Sequence, residues 1–116
     1  MTVRQILLTI FTVLLLSIGQ VLFKYSSGKI DIEGKGILAG FVFNPALIIA
    51  MAVYAVATIL WLFVLKSTPL RIAYPFAALA FVMVPIFAFA FLGETLRWTT
   101  FAGAAVIILG VYISLL

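Results

Sequence analysis

Four long apolar runs, separated by short polar breaks, make up almost the whole chain. From Ala46 to Leu65 the residues are apolar on all sides, without the two-residue alternation of a membrane barrel strand. The pattern predicts helices over about 5–25, 45–65, 69–92 and 98–116. Each is close to the roughly 20 residues that cross a bilayer. Residues 26–36, from Ser26 to Gly36, are the most polar and glycine-rich stretch and read as a water-exposed loop. Residues 37–43 are apolar but short and read as an interfacial approach or a first helical turn or two, because proline disfavours helix in the residue before it and Asn44-Pro45 follows. Thr68-Pro69 reads as a helix start, a hydroxyl cap followed by a proline whose missing N–H does no harm there. Pro75 and Pro85 fall inside the third helix, where proline frees carbonyls and permits kinks; both are candidate hinges. The fold class is therefore all-α: a polytopic membrane protein of four transmembrane helices, one domain over 1–116.

Composition agrees with a lipid surrounding. The chain is 67% hydrophobic and 9% charged, against about 25% charged in soluble domains. In lipid every backbone polar group must be paired internally, which favours helices. Cys and His both number 0, which removes disulfides, thiol chemistry, Cys/His metal sites and imidazole acid–base chemistry. No nucleophile–base pair stands out, so an enzyme is not expected, nor is a cofactor or metal. Arg4 precedes the first apolar run, yet that run exceeds a signal-peptide core and lacks a small-x-small cleavage site, so it reads as a retained helix. Basic residues sit at helix ends without aromatic interleaving, which argues against a nucleic-acid partner.

With an even number of spans, Arg4, Lys66 and Arg71 fall on the side of the termini, and Lys24, Lys29, Lys35 and Arg97 on the other. That is 3 against 4 of the 7 basic residues, almost no asymmetry for the positive-inside rule to act on. Two readings follow: a dual orientation, or one fixed by a partner.

The polar residues inside the runs are the candidate chemistry. Thr9, Gln20 and Lys24 share one face of the first helix, with Ser17 about 60° from Gln20. Such a stripe faces a substrate path, or it serves as interhelical glue with Lys24 snorkelling to headgroups. Tyr54, Thr58 and Trp61 share a face of the second helix; Trp61 suits an interface belt, whereas the deeper Tyr54 hydroxyl needs a partner. Arg71 and Tyr74 share a face at the start of the third helix. There a guanidinium can contact lipid phosphates or grip an anionic substrate, aided by the helix N-terminus. Gly103 and Gly110, with Ser114 beside them, form a small-residue stripe suited to a helix–helix interface within or between protomers. No Asp or Glu lies in any expected span; Asp31, Glu33 and Glu94 are in the breaks.

Leu15-Leu16-Ser17-Ile18-Gly19-Gln20-Val21-Leu22-Phe23-Lys24, the run from Leu60-Trp61-Leu62 through Lys66-Ser67-Thr68-Pro69 to Ile72-Ala73-Tyr74-Pro75, and Leu92-Gly93-Glu94 with the glycine stripe resemble the small four-helix branch of the drug/metabolite transporter superfamily. That branch holds small multidrug resistance exporters and the small flippase subunits for 4-amino-4-deoxy-L-arabinose-phosphoundecaprenol. The exporters carry a Glu three residues before a glycine in helix 1; aligned on Gly19, that position is Leu16. The Gly-Gln pair, Leu-Trp-Leu and Ile-Ala-Tyr-Pro are more similar to the flippase subunits. The resemblance implies transport of a polyprenyl-phosphate sugar across the bacterial inner membrane by a homodimer, or by a heterodimer with a related small membrane protein. The alternatives are a small drug exporter and a non-transporting accessory subunit. Under the flippase reading the substrate-binding residues are Ser17, Gln20, Lys24, Tyr54, Trp61, Arg71 and Tyr74, with membrane lipid as surroundings and Gly103 and Gly110 as the dimer contact.

Overall fold

The computed structural model describes residues 2–28 and 44–116; Lys29, Asp31, Glu33, Lys35 and the expected interfacial approach over 37–43 lie outside the described residues. Among the described residues five helices follow in order: α1 (Val3–Ser27), α2 (Pro45–Ser67), α3 (Leu70–Ala77), α4 (Ala80–Leu92) and α5 (Trp98–Ser114). Among the described residues three stretches are long and apolar enough to cross a membrane, namely α1, α2 and the combined α3–α4 segment Leu70–Leu92. The apolar α5 has 17 residues, about 26 Å at 1.5 Å per residue.

Local chemistry sets the helix ends. Thr2 and Gln5 form a reciprocal capping box, the Thr2 hydroxyl accepting from the Gln5 N–H and the Gln5 amide oxygen accepting from the Thr2 N–H. This starts α1 two residues before Gln5. At the other end α1 continues through Ser26 and Ser27, which sequence places in the loop. Their hydroxyls donate to the carbonyls of Phe23 and Lys24, the last turn satisfying itself.

Asn44 is buried and serves two helices. Its Oδ1 accepts from the Leu47 N–H, capping α2, and its Nδ2 donates to the Ser26 carbonyl at 2.9 Å. That bond ties the end of α1 to the start of α2, so α2 runs back antiparallel. The Thr68 cap expected from sequence does not form. Pro69 takes the cap position with extended backbone, its carbonyl accepts from the Ile72 and Ala73 N–H groups, and the buried Thr68 hydroxyl has no hydrogen-bond partner.

The third span is interrupted at Ala78–Leu79, between Pro75 and Pro85. The bonds there shorten to three-residue steps, Ala78 N–H to Pro75 O and Leu79 N–H to Phe76 O, a tighter turn of the kind found at hinges and helix ends. Gly93 ends α4 in the left-handed region at φ 71°, its N–H directed to the Ala88 carbonyl; glycine adopts this backbone without steric cost.

Helix α1 is central, packed along α2 on one side and α4 on the other, while α5 contacts α3 and α4 and buries none of its residues. The result is a flattened layer with extents of 53 × 36 × 18 Å.

Candidate functional site

The polar stripe of α1 divides according to side-chain length. Thr9 and Ser17 are fully buried, and so is Thr12. Each hydroxyl donates to a carbonyl four residues back, Thr9 to Gln5, Thr12 to Leu8 and Ser17 to Val13, at 2.7–2.8 Å. A short hydroxyl can satisfy itself on its own helix, so these three enter the interior without an outside partner. Gln20 and Lys24 are too long to do this and stand exposed at the protomer surface.

Gln20 opens onto a groove of about 370 Å³ between α1 and α4, lined with it by Ala80, Phe81, Val84 and Pro85. Tyr54 lies on the other flank of α1. Its ring packs on Phe23 with centroids 5.5 Å apart and passes so close to Gly19 that a Cβ there would meet the Tyr54 Cδ2 at 3.1 Å. Gly19 is thus a packing residue that the spacing of polar positions did not single out; the signal was a lone glycine in an apolar run, meaningful only once its neighbour across the seam is known. Thr58 donates to the Tyr54 carbonyl, and Trp61 is half-buried.

Tyr74 is exposed and lines a second hollow of about 300 Å³ with Pro75, Ala78, Phe81, Val111 and Ser114, between the broken third span and α5. Arg71, one turn earlier, is exposed and makes no ion pair among the described residues. Gly103 and Gly110 are exposed with nothing within 4 Å of an added Cβ. They therefore form no close contact within the protomer among the described residues.

The helix directions order these groups along the length of the spans. Ser26 meets Asn44, and Phe91 and Leu92 share a cleft with Val21, Leu22 and Tyr25. The α4 C-terminus therefore lies beside the α1 C-terminus. Lys24 belongs to that end and Arg71 to the opposite one, with the Gln20 groove between. One protomer does not gather the seven expected substrate residues into one cavity.

Residues 2–116 match the EamA-like transporter family. The chain belongs to that family. It is 32% identical over 125 aligned positions to the probable 4-amino-4-deoxy-L-arabinose-phosphoundecaprenol flippase subunit ArnF of Shewanella sediminis, covering 95% of this chain and 86% of that one. A second relative is the probable ArnE subunit of the same kind of flippase from Pectobacterium atrosepticum, 34% identical over 67 positions, 58% of this chain and 59% of its own. A third, a probable ArnF subunit from Erwinia tasmaniensis, is 36% identical over 69 positions, 58% of this chain and 54% of its own. No solved structure matches. This EamA-like chain is a transporter of the multi-pass, inner-membrane kind and not an enzyme, and the resemblance drawn from the Gly-Gln, Leu-Trp-Leu and Ile-Ala-Tyr-Pro segments pointed to the same flippase subunits.

Proposed function

We propose that this EamA-like chain is one subunit of a dimeric flippase for a sugar linked to undecaprenyl phosphate. The observation that carries the reading is the arrangement along the spans: an exposed guanidinium at one end, an exposed ammonium at the other, and an open groove footed by an amide unpaired among the described residues between them. The cargo would be an anionic phosphate with a polar sugar on a long apolar tail. A thin protein need shelter only the head, while the tail stays in lipid. Arg71 would hold the phosphate through a two-pronged guanidinium contact, Lys24 would receive it at the far end, and Gln20 and Tyr74 would bond the sugar between. The kinship with ArnF and ArnE subunits supports the substrate class and a partner of similar size. The spans carry no carboxylate to exchange a proton for a cation, which weighs against the exporter reading.

The direct test is movement of undecaprenyl-phosphate-linked aminoarabinose across proteoliposomes holding this chain, alone and with a related small subunit. Accelerated translocation in either preparation is expected; no acceleration in both would remove the flippase reading.

The dimer has its own test. Because an added side chain at Gly103 or Gly110 meets open space within the protomer, the double replacement Gly103→Leu/Gly110→Leu should leave protomer stability unchanged and still shift crosslinked dimer to monomer. Undiminished dimer would move the contact off this stripe.

A further inference from the structure

Pro85 has no N–H to offer the carbonyl four residues before it, which is that of Phe81. Phe81 stands eleven residues from either end of the Leu70–Leu92 span, midway along a stretch that is long and apolar enough to cross a membrane. The carbonyl of a helical residue points toward the residue four positions on, and Phe81 and Pro85 both line the groove that Gln20 faces. The Gln20 side chain makes no hydrogen bond among the described residues. Two polar groups thus share one otherwise apolar groove: a carbonyl that lacks its usual donor four residues on, and an amide that can donate or accept. Leaving either bare in hydrocarbon is costly.

We infer that the Phe81 carbonyl, left without its usual donor by Pro85, and the Gln20 amide form a mid-membrane binding step for a hydrogen-bond donor of the cargo's sugar, a hydroxyl or an amino group. The inference rests on the flippase reading and extends it to the group that tells a sugar-bearing lipid from a bare one. A neutral carbonyl and amide suit a sugar better than a phosphate, since the carbonyl has nothing to donate to an anion. The phosphate is left to the cations at the ends, and the tail to lipid.

The test compares binding of undecaprenyl-phosphate-linked aminoarabinose and bare undecaprenyl phosphate to the full chain in nanodiscs. The wild type should prefer the sugar-bearing lipid. Pro85→Ala restores an N–H that covers the Phe81 carbonyl, and Gln20→Leu removes the amide. Each should cut the preference about tenfold while leaving bare-lipid affinity unchanged, and the double variant should lose little more, because the two groups act on one ligand. A general packing defect would weaken both lipids alike, and that outcome overturns the inference. So does equal wild-type binding of the two lipids, which leaves the flippase reading standing, whereas binding of neither lipid sinks both. Loss of dimer with the lipid preference intact would assign the groove to a neighbouring protomer instead.

Discussion

Gly19→Leu is expected to destabilise the protein by about 1–3 kcal/mol, the usual cost of forcing extra methylenes into a filled site. A single Cβ already meets the Tyr54 Cδ2 at 3.1 Å and its Cβ at 3.7 Å. The Tyr54 ring has little freedom to retreat, because its other neighbour is the Phe23 ring at 5.5 Å on the same helix as Gly19. In lipid, helices associate through close van der Waals packing rather than through release of water, so the shortest approach between two helices carries much of their association. Gly19→Ala asks the ring to give only a few tenths of an ångström and should cost much less. Unfolding of the purified protein in mixed detergent micelles reads the ordering, wild type above Ala above Leu. Adding Tyr54→Ala to Gly19→Leu should cost less than the sum of the two changes, since it makes room for the new side chain. A Leu variant as stable as wild type would mean that α1 and α2 do not meet at Gly19.

The same position shows what the sequence could and could not reveal. The helical class and most helix ends follow from local signals: apolar runs of sufficient length, Asn44-Pro45 at one start, Gly93 at one end. The Gln20 side chain was legible as a polar group out of place in an apolar helix. What periodicity could not separate was Ser17 and Thr9 from Gln20. All lie near one face, but a hydroxyl one bond from Cβ reaches its own helix's carbonyl and a longer amide does not. The Thr68 cap failed for a related reason. Hydroxyl-then-proline fits a helix start, yet the backbone placed Pro69 itself at the cap and left the hydroxyl buried without a partner. The exposure of α5 depends on which helices meet, a tertiary fact that its uniformly apolar sequence does not encode.

The largest functional effect is expected at Arg71. It stands exposed at the start of α3 without an acidic partner among the described residues, so its guanidinium is available to a phosphate. If it grips the cargo's phosphate, Arg71→Lys should be poorly tolerated, because lysine keeps the charge and loses the planar fork. The loss expected for a broken charged contact is about 1.5–3 kcal/mol, roughly tenfold or more in affinity. If the residue only anchors the helix among headgroups, lysine should serve nearly as well, since both side chains snorkel. Tyr74→Phe is the companion change: Tyr74 lies one turn on, is exposed, and lines the hollow beside α5, so the change removes a hydroxyl with little effect on packing. Its effect should be smaller than that of Arg71→Lys, and confined to the sugar-bearing lipid. Translocation of undecaprenyl-phosphate-linked aminoarabinose in proteoliposomes, with variants matched for dimer content, measures both. Wild-type rates for Arg71→Lys and Arg71→Ala together would take Arg71 out of the path. An anionic headgroup would then have Lys24 as its one remaining candidate among the basic residues proposed for the site, at the end where α1 and α4 finish side by side.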